Sequence, residues 1–453
     1  MAFTFKGGVH VDEAKNTASC EIRIMPAPAR VSIPLSQHIG AHCTPCVKVG
    51  DTVARGQVIG EVVSGLGCPV HASISGKVAA IEDNYNAMGV KVAHIIIEND
   101  GEGRVCPDIR PFPKTLAELT FEDVVEVVRA AGIAGMGGAS FPTYAKIASA
   151  RDKVDRLIVN CAECEPYITA NHRLLLERPE SVIGGMKLLL KVFGIPSGDL
   201  AIEDNKRDAI KIAEGMTAEN SLINVRVLKT KYPQGDERQL IYALTGREIP
   251  AGGLPSDVKC VVFNAETCSA IYNAFTTGMP LIERIVTVDG DCIAQPSNVL
   301  VPIGTSYEDL IDFCGGLTTE PYKIINGGPM MGAAHWDMKD PITKGSSAIL
   351  VFSKKAADKY EQPASCIRCG RCVGVCQMRL MPSYIAMFAR AGKYDLCESY
   401  NVMSCVECGA CTYICPGGVP ITALNRAAKA KINEKRRALK MSAAKPEAKE
   451  EKK

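Results

Sequence analysis

The feature that most narrows what this chain can fold into is a pair of cysteine runs near its C-terminal end. Cys366, Cys369, Cys372 and Cys376 are spaced C-x2-C-x2-C-x3-C, and Cys405, Cys408, Cys411 and Cys415 repeat the spacing. Pro416 follows the last cysteine, and Gln377 takes the corresponding place in the first run. Three closely spaced thiolates can wrap three corners of a cubane, whereas the fourth, set further along, is aimed away and ligates the neighbouring cluster. The pattern therefore predicts two [4Fe–4S] clusters held crosswise. Cys366, Cys369, Cys372 and Cys415 would hold one, and Cys405, Cys408, Cys411 and Cys376 the other. A structural zinc site expects two CxxC pairs separated by a longer loop, and the odd third cysteine in each run does not fit it. Two adjacent one-electron sites make a wire, and a wire needs a feed.

At 453 residues the chain exceeds a single core, so several domains are expected. Hydrophobic residues make up 47% and charged residues 23%. That is ordinary globular usage, and a net charge of +2 argues against a nucleic-acid binder. The charge is uneven, because residues 426–453 carry eleven Lys/Arg against four Asp/Glu. That stretch is expected to be a solvated, partly helical and largely disordered basic tail. No run of about twenty apolar residues crosses a bilayer, and the N-terminal MAFTFKGGVHVDE lacks a secretion signal. A cytoplasmic setting follows, and in a reducing compartment twenty cysteines serve metals or packing rather than disulfides.

Residues 1–105 read as short strands and turns, with VKVGDTVARGQVIGEV and HASISGKVAAIED supplying Gly-punctuated alternation. They resemble the barrel-sandwich hybrid fold of biotinyl and lipoyl carrier domains. Gly67-Cys68-Pro69-Val70 offers no Lys at the comparable tip, which predicts a scaffold. Cys43 and Cys46 form a lone CxxC and are read as packing. Residues 106–283 alternate helices and strands and predict an α/β domain around a largely parallel sheet. Thr120 should cap its first helix with Asp123 completing the box, and a second helix should start at Pro142. Residues 284–355 return to strands around one helix capped by Ser306 and Asp309, a β-grasp-like module. Residues 356–425 are the helical dicluster segment. The fold class is thus multidomain α/β plus α+β.

Two loops in the α/β region carry binding chemistry. In Gly135-Met136-Gly137-Gly138-Ala139-Ser140-Phe141, between two helices, glycines let backbone N–H groups approach a phosphate at the next helix's positive end. Lys146 adds a cation one turn on. A helix rather than a strand precedes these glycines, so the dinucleotide fingerprint does not apply. Glu163 and Glu165 follow the strand Arg156–Asn160 at its C-terminal end, where α/β sheets collect ligands. Asn160 offers an amide that suits an isoalloxazine edge.

The stretches GMGGASFPTYAK (135–146), NCAECEP (160–166), YPQGDERQLIYALTGREIP (232–250) and FNAETCSAIYNA (263–274) resemble, in the same order, the FMN- and NADH-binding subunit of respiratory complex I. With the barrel-sandwich region, the β-grasp (SLBB-like) module and the twin cysteine runs, residues 1–425 resemble the RnfC family of the Rnf complex, the ion-translocating ferredoxin:NAD oxidoreductase. The resemblance implies FMN contacts from Gly135, Gly137, Gly138, Lys146, Asn160, Glu163 and Asn264. It implies NADH contacts from Phe141, Glu165, Gly235, Asp236 and Glu237. The sequence departs from complex I with Met136 where that protein has Arg, Ser140 where it has Gly, and Asp236-Glu237 where it has paired Glu.

A hydride carries two electrons and a cluster accepts one, so FMN is the converter that the clusters need. The expected mechanism is hydride exchange between NAD(H) and flavin N5, then single electrons through the clusters to a partner. No side chain need act as acid or base, and His10, His38, His42, His71, His94, His172 and His335 are read as core or surface residues. Without a membrane span, an ion-translocating role requires docking on integral and ferredoxin-like partner subunits at the cytoplasmic face of the membrane, where the basic tail could meet anionic headgroups. Two rival readings remain. One is a soluble NADH-dependent flavin reductase similar to the cobalamin reductase of bacterial microcompartments. The other is a non-catalytic cluster relay and scaffold that has lost its nucleotides.

Overall fold

The computed structural model describes residues 2–86, 89–218, 222–357 and 365–443. The chain divides into two compact units, one of residues 1–4 and 11–359, the other of residues 5–10 and 360–453.

In the first unit, residues 30–99 form two small antiparallel sheets. One orders Arg30–Pro34, Lys91–Asn99, Gly76–Tyr85 and Thr52–Val53, the other Thr44–Pro45, Val58–Glu61 and Val70–His71. Alternate side chains point to one face of a strand, so Val31 and Ile33 meet Ile95 and Ile97 in a core closed by Ile59 and Val78. Cys68, where a carrier domain would present its lysine, is buried. The residues before Arg30 are shared out in a way their sequence does not announce. Phe3 bridges to Leu228, residues 5–10 belong to the second unit, and Ile22–Ile24 lies parallel to Ser297–Pro302.

The α/β domain has the expected parallel sheet, ordered Ile223–Leu228, Gly198–Glu203, Arg156–Cys161, Cys260–Asn264. Every residue of Gly198–Glu203 is buried, as suits a strand covered by helices on both faces. Thr120 and Asp123 close the capping box of Phe121–Ala130 as expected. The next helix, Thr143–Ala150, takes Pro142 as its N-cap rather than as its first residue. Pro179–Phe193 packs on Ala265–Thr277 so closely that a Cβ on Gly185 would fall 1.9 Å from the Cys268 carbonyl oxygen; only glycine permits that approach.

Beyond Glu283 the chain builds a six-stranded mixed sheet with Ile22–Ile24 at one edge, joined by the helix Tyr307–Phe313. Ser306 Oγ accepts from the Asp309 N–H, the expected cap.

The second unit is helical: Arg371–Val375, Pro382–Arg390, Tyr394–Ser399, Ala410–Tyr413 and the long Ile421–Ala443. The last of these corrects the disordered tail expected from residue 426. Through residue 443 the stretch is continuous helix, and Ala428 and Ile432 are buried in a core with Leu380, Ile385, Cys397 and Val402. Charge count alone had hidden those two apolar positions, one helical turn apart. Residues 444–453 lie outside the described residues.

Candidate functional site

The Gly-rich loop is closed at its neck, where Gly135 N–H donates to Phe141 O at 2.9 Å, and the helix Thr143–Ala150 leaves from it. Gly137 lies against Asn264, whose side-chain nitrogen would be 2.8 Å from a Cβ there; Gly138 faces open space. Met136 is buried, with its N–H on Thr267 Oγ1, so it is a core residue and not a phosphate ligand. Phe141 is partly exposed at 38%. Asn264 caps the helix Ala265–Thr277 by accepting from Glu266 and Thr267 N–H groups.

The other predicted residues converge on the same region. Asn160 Nδ2 donates to Gly235 O at 2.9 Å while its oxygen accepts from Ala162 N–H. Gly235 fits so tightly under the acidic loop that a Cβ would sit 2.8 Å from Ala162 O. Asp236 caps the helix Glu237–Thr245, and Glu237 pairs with Lys146 at 3.2 Å. Glu163 turns its carboxylate to the Asn171 and His172 N–H groups, stabilising the start of Ala170–Glu177. Three polar groups in these segments are buried without a protein partner: the Thr143 hydroxyl at the first turn of its helix, the Asn171 side-chain oxygen, and both ends of the Gln234 amide. Unpaired buried polar atoms are costly, and orphans beside a glycine cradle, a lysine and a helix N-terminus fit a phosphate-bearing planar cofactor such as FMN. Gln234 lies inside the stretch YPQGDERQL, directly before the residues expected at the NADH side, and nothing in its spacing sets it apart from them.

Lys15 has no sequence signal, yet it organises the acidic loop: its Nζ donates to the carbonyls of Glu163, Glu165 and Ile168 at 2.7, 2.8 and 2.6 Å. Glu165 in turn accepts from the Met330 and Met331 N–H groups. Burial pushes its carboxyl up to about 7 despite those bonds and the nearby Lys15. A carboxyl raised in this way supports the fold fully below its ordinary value of 4.5, and the support is lost as pH rises through about 7. Thermal stability of flavin-free protein should therefore fall between about pH 5 and about pH 8, and Glu165→Gln should flatten that fall. Parallel curves for the two proteins would refute the assignment.

In the second unit the two cysteine runs are copies in backbone as well as spacing. Arg368 and Glu407 have φ of 55° and 58°, Gly370 and Gly409 76° and 83°, and Arg379 and Gly418 53° and 62°. Left-handed backbone at Arg and Glu is strained, and finding it at matching places in both runs marks a loop shaped for a purpose. The runs also interleave. Cys376 shares an apolar cluster with Cys405, and Cys415 shares another with Cys372 and Cys411. Burial pushes the thiols of Cys408 and Cys411 up to about 12 and about 11, so bound iron would displace protons there. Among the described residues no three His, Cys, Asp or Glu side chains stand close enough to hold a single metal ion. A cubane, with its irons at separate corners, asks for a wider set of thiols.

Known proteins resemble this chain along nearly its whole length. The C subunit of the Na(+)-translocating ferredoxin:NAD(+) oxidoreductase complex of Acetobacterium woodii is 45% identical over 96% of this chain and 98% of that protein. The chain belongs to this family. Other members are the C subunits of the proton-translocating ferredoxin:NAD(+) oxidoreductase complex of Clostridium ljungdahlii and of the ion-translocating oxidoreductase complex of Rhodobacter capsulatus. The first is 45% identical over 89% of this chain and 88% of its own length, the second 40% over 96% and 84%. Within the RnfC family frame, the RnfC barrel sandwich hybrid domain matches residues 3–102, the Nuo51 FMN-binding domain 128–273 and the SLBB domain 285–334. The FMN-binding match runs from just before the Gly-rich loop into the helix that Asn264 caps. An NAD+-reducing [NiFe]-hydrogenase aligns at a TM-score of 0.48, with 20% identity over 65% of this chain and 55% of that chain. Among the described residues no helix is long and apolar enough to cross a membrane.

Proposed function

We propose that this RnfC-family chain is the component through which an ion-translocating ferredoxin:NAD+ oxidoreductase exchanges electrons with NAD(H). It binds FMN in the α/β domain, carries two [4Fe–4S] clusters in the helical unit, and docks on integral and ferredoxin-like partners at the cytoplasmic face of the membrane. One observation carries the reading: four motifs distant in sequence meet at one place, through Gly137 against Asn264, Asn160 on Gly235 and Lys146 on Glu237. When bound, FMN converts the two-electron hydride of NADH into single electrons.

The chain's own groups bind and position. Gly135, Gly137 and Gly138 with the N-terminus of Thr143–Ala150 and Lys146 receive the phosphate. The Lys146–Glu237 pair is partly exposed, so releasing Glu237 to water costs little. Asn160, Glu163 and Asn264 fix the floor of the flavin pocket by locking the loops that line it. Phe141, Glu165, Gly235, Asp236 and Glu237 lie on the segments that would receive NADH. The two crossed sets of four cysteines hold the clusters.

Titrating the anaerobic protein with NADH while following flavin absorbance and cluster EPR tests this directly. Flavin bleaching should be followed by cluster signals. Flavin that NADH never bleaches, or fewer than about eight irons per chain, would overturn it. Arrival of the natively purified protein with membrane components rather than microcompartment shell proteins separates it from the soluble-reductase alternative.

A further inference from the structure

We propose that Asn425 and Thr422, on one face of the terminal helix, donate hydrogen bonds to the thiolates of Cys405 and Cys411 and thereby raise the reduction potential of the cluster those cysteines hold. This rests on the two-cluster reading above. Residues three apart share a helix face, and here the face covers the second cysteine run: Thr422, Asn425 and, one turn further, Lys429 all reach it. Lys429 Nζ donates to Cys405 O at 2.9 Å, and Lys429 and Arg426 both grip Glu407 inside the loop.

Asn425 is only 1% exposed, its Nδ2 stands 4.0 Å from Cys405 Sγ, and its Oδ1 has no partner. A primary amide that deep is costly unless its N–H groups are used, and a sulfur is the acceptor in front of it. Thr422 Oγ1 is 3.5 Å from Cys411 Sγ and 2.8 Å from Thr412 Oγ1. Thr412 Oγ1 already accepts from Thr422 N–H. With its own proton given to Thr422 Oγ1, it leaves the Thr422 hydroxyl proton for the sulfur. Backbone donors add to these: Glu407 N–H to Cys405 and Leu380 N–H to Cys376, each at 3.4 Å. Cys366 and Cys369 of the other set are exposed instead. Hydrogen bonds to cluster sulfurs favour the more negative, reduced state and are one of the protein's levers on potential. Asn425 and Thr422 are therefore positioning residues that act through the ligands.

The test is an EPR-monitored redox titration of the full chain, purified anaerobically with its clusters, for wild type, Asn425→Leu, Thr422→Val and the double variant. Iron per chain is measured alongside. Expected is retention of about eight irons and a negative shift of one cluster only. In the double variant its reduced-to-oxidised ratio at fixed potential should fall about tenfold, equivalent to about 59 mV for a one-electron couple. Asn425→Gln, which keeps an amide, should restore part of the shift. Two unmoved midpoints with iron retained, or equal shifts of both clusters, would overturn the proposal. So would iron loss in the variants with the remaining signal unshifted, because the residues would then be structural. Wild type with fewer than about eight irons would instead refute the two-cluster reading itself.

Discussion

Replacing Cys376 by Ala is expected to empty the cluster of the other run, lowering iron from about eight to about four per chain while the cluster of Cys366, Cys369 and Cys372 survives. The reason is where the chain sends this cysteine. It ends the helix Arg371–Val375 with extended backbone, which turns it out of its own loop and into the apolar cluster that contains Cys405. Cys415 shares an apolar cluster with Cys372 of the first run and Cys411 of its own. Double variants make the crossing measurable. On the crossed assignment, which gives both ligands to one cluster, adding Cys405→Ala to Cys376→Ala should cost no further iron, whereas adding Cys369→Ala should remove what remains. Non-additivity of this kind identifies groups that act as a unit. Opposite behaviour, with Cys369→Ala silent in the Cys376→Ala background, would mean that each run holds its own cluster.

A chain ending at residue 425 should lose the cluster unit altogether, whereas one ending at residue 443 should keep it. The shorter chain removes Ala428 and Ile432 from the core beside Cys376 and Cys405, and removes Arg426 and Lys429 from Glu407. Deleting one large buried aliphatic side chain typically costs about 2–5 kcal/mol. Burial pushes the Glu407 carboxyl up, yet the bonds from Lys429 and Arg426 hold it below the ordinary range, so those cations contribute as well. Lys435 adds a pair with Asp395 at 2.8 Å. Iron content and thermal unfolding would report the difference, and an iron-replete, equally stable chain ending at residue 425 would disprove it. Any part played by the basic C-terminal residues at a membrane has to be tested with the cut at 443, since a cut at 425 would confound attachment with unfolding.

Much of this architecture could be read from residues because the signals were local. The cysteine spacing, the Thr120 and Ser306 caps and the period-two strands each depend on neighbours a few positions away. What escaped was set by distant partners. Lys15 looks like any solvated lysine until Glu163 and Glu165 fold over it, and Ile22–Ile24 is too short to declare itself a strand without Ser297–Pro302 beside it. The terminal helix was hidden differently: its charge suggested solvent on every side, while two apolar positions decide its packing. At the nucleotide site the motifs located the loops, but not which atoms they use on each other. Glu163 and Asn160 spend hydrogen bonds on the protein's own backbone, which no spacing rule announces.

Residues 5–10 have a consequence for biosynthesis. Gly8 N–H donates to Val375 O at 2.8 Å, and Gly7 lies against the backbone of Gln377. During translation this segment leaves the ribosome long before its partner exists. Phe3 on one side and Lys15 on the other become committed to a sheet and a loop that are also made earlier than residue 375. The nascent protein must hold a short unspent stretch between two earlier-made attachments until residue 375 emerges to receive it.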